Sequence, residues 1–319
     1  MLAPPGASVP ERLPPVVWDP SYEVDIGAHV FVTAKYRLTR ERLLEQRTLT
    51  EEHFLAPVPA TDEQLALVHT TEYLSKVRSG AFSLAEILRL EVPFSEAGRD
   101  AMTLMCGGTL LTARLALAHG TAGHLGGGFH HAFAGHGEGF CLLNDVAVAA
   151  RALTREGVVE RVTVLDLDVH HGNGTAAIFE DDPAVSTFSM HQENNYPALK
   201  PPSDLDLGLA DGTGDEEYLG LLTEHLPSVL DGHAPELVIY LAGADPYRED
   251  QLGGLGLTLD GLRMRDRLVL ESARDRGIAV AVVLAGGYAH SPEDTVRIHA
   301  ATVEELVRVT GLTPAPPER

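Results

Sequence analysis

Two periodicities alternate along the chain. Residues 61–78 and 97–119 carry apolar positions at helical spacing, and the second segment is apolar on most sides, as a buried helix is. A third helix is expected over 143–156, opened by Asn144 and Asp145, which suit a helix N-terminus. VTVLDLD (162–168) is a continuous apolar run ending in carboxylates, the pattern of a parallel strand buried on both faces. AVSTFSM (184–190), LVIYLA (237–242) and IAVAVVLA (278–285) read the same way, with helical stretches at 215–230, 258–276 and 293–310 between or after them. Strands alternating with helices predict one α/β domain spanning 1–319, with a largely parallel central sheet flanked by helices. The proline-rich start (1–16) and the tail (312–319) are expected to be extended or frayed ends, with Trp18 anchoring the first to the body.

No apolar run approaches the ~18 residues of a membrane span; the longest, Ile278 to Ala285, suits a strand. The N-terminus has neither the basic start nor the apolar stretch of a secretory signal. Lys and Arg number 24 against 46 Asp and Glu, a net charge of −22 that repels phosphate backbones and disfavours direct nucleic-acid binding. The 2 cysteines make no disulfide framework, so a reducing, cytoplasmic setting is expected, with Cys106 and Cys141 packed in the core. The 15 histidines stand out, because four of them form two adjacent pairs.

Polar clusters follow the ends of these strands: VHHGNGT (169–175), GADPY (243–247) and GGYAH (286–290), with a fourth in GGGFHHAFAGHGEGFCLLND (126–145). In open α/β sheets that edge is where ligands bind. Residues two apart on a strand share a side, so Asp166, Asp168 and His170 project together if the strand persists that far. Carboxylate and imidazole suit zinc or another divalent first-row metal, with Asp245 on a neighbouring strand as the third ligand. Burying two close carboxylates without a cation is costly, which weighs against mere turn-capping. His130 and His131 can both face one substrate only at a strand end or turn, which the preceding glycines permit; otherwise they are a local structural pair. Tyr288, after Gly286 and Gly287, carries little weight alone, since buried tyrosines are common.

GGGFHHA (126–132), GFCLLND (139–145), LDLDVHHGNGT (165–175), GAD (243–245) and GGY (286–288) together resemble the zinc-dependent histone deacetylase family. That family also includes acetoin-utilisation proteins and acetylpolyamine amidohydrolases. HVFVTAKYRLTRERL (29–43) and HQENNYP (191–197) look most like its class IV branch. The resemblance implies an arginase/deacetylase-like fold and a zinc-dependent amidohydrolase, with its site at the C-terminal ends of the strands. It implies zinc on Asp168, His170 and Asp245, His130 and His131 flanking the metal-bound water, and Tyr288 on the carbonyl oxygen opposite. Asp166 would back His130, and Gly139, Phe140, Gly286 and Gly287 would line the narrow substrate tube. A structural potassium would draw on Asp166, Asp168, His170 and Ser189. His136 and His191 are rim candidates, and His171 reads as structural.

The sequence departs from the family pattern in two places. Asn173 stands behind His131 where many members carry aspartate, which implies a lower pKa for His131. Ala285 replaces a third glycine before the tyrosine. The expected substrate is an acylated lysine in a protein or an acylated small amine such as an acetylpolyamine; a catalytically silent acyl-lysine binder is the alternative. A binuclear arginase-like site is disfavoured, because Gly172 and Tyr247 stand where additional ligands would be needed. A nicotinamide cofactor is disfavoured too, because histidines follow the glycines where a pyrophosphate-binding helix would start. Oligomeric state is not legible.

Overall fold

The structure, a computed structural model, describes residues 14–311. Eight strands form one sheet: β1 (Val16–Val17), β2 (Phe54–Leu55), β3 (Thr121–His124), β4 (Val162–Asp166), β5 (Val185–Gln192), β6 (Leu205–Leu209), β7 (Leu237–Leu241) and β8 (Ala279–Val283). Every pairing is parallel, in the order β2-β1-β3-β8-β7-β4-β5-β6. The last strand in the chain, β8, therefore lies between β3 and β7, in the middle of the sheet. The architecture is the expected largely parallel α/β fold, flanked by helices.

Burial on both faces explains the unbroken apolar runs. On β7, Leu237, Ile239 and Leu241 enter one core, while Val238 and Tyr240 enter the other; β8 divides likewise between Ala279, Ala281, Val283 and Val280, Val282. The first core is closed by α5 (Glu96–His119) and α6 (Asp145–Arg155), the second by α8 (Asp215–His233), α9 (Leu259–Arg274) and α10 (Pro292–Val309). Along the chain, α1 (Lys35–Glu45), α2 (Asp62–Leu65), α3 (Thr71–Ser79) and α4 (Leu84–Leu90) precede α5, and α7 (Asn173–Phe179) follows β4. Asn144 caps α6 as expected, its side chain accepting from Ala147 N at 2.8 Å. Trp18 is held to the body, donating from its backbone to Leu55 O and stacking under the Arg40 guanidinium.

Three expectations need correction. The helix expected over 61–78 is two helices, because Thr70 caps a new start by accepting from Tyr73 N. The extended end expected over 1–16 falls for residues 1–13 outside the described residues, and Val16 is already a buried strand residue paired on both sides. The tail 312–319 likewise lies outside them. Finally, among the described residues one helix, α5, is long and apolar enough to cross a membrane. Much of it is buried against α6, β3 and β8, the position of a core helix.

Candidate metal centre and acid–base pair

Because all strands are parallel, the C-terminal ends of the four neighbours β3, β8, β7 and β4 open on one edge. The loop after β3 carries His130 and His131, that after β4 carries Asp168 and His170, that after β7 carries Asp245, and that after β8 carries Tyr288. Asp168, His170 and Asp245 are buried together, each offering one ligand atom within 4.8 Å of the others'. His170 Nδ1 lies 3.1 Å from Asp168 Oδ1 and 3.5 Å from Asp245 Oδ2.

The backbone holds these carboxylates in place. Asp168 accepts from His170 N through Oδ1 and from Gly286 N through Oδ2, at 3.0 and 2.8 Å. Asp245 Oδ1 accepts from Val169 N at 2.9 Å, while its Oδ2 is buried without a hydrogen bond. A Cβ on Gly286 would stand 1.9 Å from that free oxygen, so glycine alone fits there. Burial and the neighbouring Asp168 push the Asp245 carboxyl up, to about 7. Burial opposes charge on His170 too, yet Asp168 and Asp245 raise it to about 10. Two buried carboxylates, one left with an orphaned oxygen, and an imidazole form a cradle that fits a divalent cation.

Asp166 does not join this group, against the expectation of a strand alternation running through residue 170. β4 ends at Asp166, whose Oδ1 accepts from Asp168 N and whose Oδ2 accepts from His130 Nδ1 at 2.6 Å. Ser189 sits opposite Asp166 on β5, its hydroxyl 3.0 Å from His191 Nδ1.

The Gly126–Gly128 turn brings both imidazoles of the pair into the site, with His130 Nε2 and His131 Nε2 3.1 Å apart. Buried Asp145 fixes that turn by accepting from Gly128 N and Phe129 N. Burial disfavours charge on both rings, but Asp166 and Asp168 overcome it at His130, raising its pKa to about 9. His131 has only the neutral Asn173 behind it, at 2.7 Å; burial and the charge on His130 drive its pKa well below the ordinary value. The surroundings thus favour charge on His130 and disfavour it on His131.

A cavity of about 170 Å³ leads to these groups. Phe140 stacks parallel to Phe31 at 6.2 Å, Tyr288 meets Phe140 edge-on, and Tyr196 stands edge-on to His131 at 5.0 Å. Gly139, Phe140, Gly286 and Tyr288 all line the cavity; Gly287 lies behind it, facing a second cavity with Lys35. Burial keeps the Tyr288 phenol protonated, well above its ordinary range.

Several lining residues were not singled out one by one in the sequence, although Phe31, Lys35 and Tyr196 fall within the class IV-like tracts 29–43 and 191–197. Phe31 and Tyr196 supply aromatic walls, and Leu252 and Glu91 lie at the cavity. Lys35 is buried behind Tyr288, donates to Ala285 O at 3.0 Å and is lowered by burial to about 8. Ala285 itself adopts a φ of 50°, the left-handed conformation its lost glycine would have met without strain. Of the two rim candidates, His136 stacks on Phe133 near Glu138, whereas His191 is buried against His171 and is no rim residue. His171 is buried beside Asp206, and both cysteines are free and buried.

Comparison with known proteins places this geometry. The family model for the histone deacetylase domain matches residues 29–306. Histone deacetylase 2 of Arabidopsis thaliana is 32% identical over 95% of this chain and 81% of its own length. The acetoin utilization protein AcuC of Staphylococcus aureus is 31% identical over 73% of this chain and 66% of its own. An uncharacterised Picosynechococcus protein is 44% identical over 90% and 96%. A solved histone deacetylase homologue in complex with SAHA shares the fold, with a TM-score of 0.79 and 24% identity over 93% of this chain and 84% of that one. With the family model covering most of its length, the chain belongs to the histone deacetylase family and is a hydrolase of linear amides.

Proposed function

We propose that the chain removes an acetyl or longer acyl group from the side-chain amine of lysine in proteins, with zinc held by Asp168, His170 and Asp245. When bound there, zinc would supply a Lewis acid that lowers the pKa of water and polarises an acyl carbonyl. The reading is carried by the unequal surroundings of the histidine pair, set beside the carboxylate cradle at the end of an aromatic tube.

The chain's own groups supply the rest. Phe31, Phe140 and Tyr196 offer apolar faces to an alkyl stem and keep water from its length. Neutral His131 accepts a proton from the attacking water at Nε2. His130, held protonated by Asp166, donates to the leaving amine. The Tyr288 hydroxyl donates to the carbonyl oxygen as negative charge develops on it. Asn173 orients His131, and Gly139 and Gly286 allow the close approach of backbone to the stem and the ligands. A structural potassium near Asp166, Asp168, His170 and Ser189, and the class IV likeness of the tracts 29–43 and 191–197, belong to the same reading.

The test is a panel of acetyl-lysine and longer acyl-lysine peptides beside acetylpolyamines, with and without a zinc chelator. Chelator-sensitive conversion of the acyl-lysine peptide to the deacylated peptide, with release of the free carboxylic acid, supports the proposal. Turnover of acetylpolyamines alone moves the substrate to small amines, and binding without turnover makes the chain an acyl-lysine binder.

A further inference from the structure

The amide behind His131 has two ends of nearly equal shape and opposite chemistry. Asn173 Oδ1 lies 2.7 Å from His131 Nδ1, so this ring nitrogen carries the hydrogen and Nε2 keeps its lone pair, on the side where His130 Nε2 stands 3.1 Å away. With the amide flipped, the NH₂ group would face Nδ1, the hydrogen would move to Nε2, and the base would be lost. Aspartate at this position has no wrong end, but asparagine needs something outside itself to hold its orientation.

That reference is present. Asn173 Nδ2 donates to Glu138 Oε1 at 2.7 Å, and a carboxylate can only accept. Glu138 starts the two-residue turn that exchanges backbone hydrogen bonds with Cys141, and the turn's central residues are Gly139 and Phe140, both at positive φ. Its side chain is 19% exposed, with Oε2 3.4 Å from His136 Nε2. Reading the roles of His131 and Asn173 as above, we propose that Glu138 is a positioning residue that locks the Asn173 amide and thereby the catalytically competent tautomer of His131. The turn that carries Phe140 and the amide behind the base thus meet at one carboxylate, which does not itself line the cavity.

Three variants test this. Glu138→Met keeps the bulk but no acceptor, Glu138→Gln keeps an acceptor oxygen, and Glu138→Met with Asn173→Asp supplies a partner for His131 that needs no orienting. Expected are a fall in kcat of about 10–100-fold for Glu138→Met, the usual cost of an outer partner, with KM within about twofold. The double variant should recover most of that loss, whereas Glu138→Gln, whose amide can present either end to Asn173, should recover only part of it. In ¹⁵N-histidine spectra, His131 (assigned by its absence in His131→Asn) should show hydrogen on Nδ1 in the wild type and a tautomer mixture in Glu138→Met. An unchanged tautomer in Glu138→Met, or a loss that Asn173→Asp does not restore, overturns the proposal. If the wild type hydrolyses no acyl amine, the functional reading fails, while the tautomer measurement still decides this one.

Discussion

At the scale of single residues, the site works by leaving certain groups unsatisfied. Tyr288 lines the cavity beside the histidine pair and the cradle, and its hydrogen is firmly held. Tyr288→Phe should lower kcat by about 10²–10³-fold, the usual loss for one oxyanion donor, with zinc content by elemental analysis unchanged. Asp245 is the opposite case, a carboxylate that costs stability until a cation arrives. Asp245→Asn should make the metal-free protein more resistant to urea than the wild type. It should also abolish the stabilisation that zinc confers, which is about 2.7 kcal/mol for a free ion at 100 times its Kd. Urea midpoints with zinc and with chelator check both signs; a metal-free variant less stable than wild type would remove the cradle argument.

Among elements, most of the strands that position the chemistry were legible, with β3, whose loop carries the histidine pair, as the exception. β4, β5, β7 and β8 announce themselves because burial on two faces demands apolar side chains at nearly every position. β1 and β2 have two residues each and no room for a pattern, β3 reads Thr-Ala-Gly-His, and edge strand β6 alternates with Asp206 and Gly208. The same logic separates the site residues. Asp168, His170 and Asp245 were legible because carboxylates and histidines at the ends of apolar runs need a reason to be there. Phe31, Lys35 and Tyr196 were legible only as members of the tracts 29–43 and 191–197, because each alone looks like any loop or helix residue until folding carries it across the molecule. Between α9 and α10, buried Glu305 accepts from Arg263 and Arg267 on one helix and Arg308 on its own. Burial alone would raise its pKa, yet the three guanidiniums hold it near 2. A depressed folded-state value stabilises the protein above the unfolded value of about 4.5, and the gain is lost as pH falls toward 2. Between pH 5 and 3 the urea midpoint of Glu305→Gln should therefore fall less steeply than that of the wild type.

Over the whole molecule, the charge of −22 acts on encounter more than on chemistry. Acyl-lysine peptides with basic flanks should show higher kcat/KM than acidic ones at ~0.01 M salt, and the difference should collapse near ~1 M, where screening shortens to ~3 Å. Stopped assays on matched peptides across that range measure it; a salt-independent ratio would assign the preference to local pockets instead.

The central place of β8 has a consequence for how this protein comes into being. Before Ala279–Val283 leaves the ribosome, the sheet exists only as two separate parts, β2-β1-β3 with the histidine pair and β7-β4-β5-β6 with the metal ligands. Synthesis thus finishes most of the chain before proton transfer and metal binding can meet. The final strand completes the sheet, and a chain cut before Ala279 lacks both the strand pairing between β3 and β7 and Tyr288.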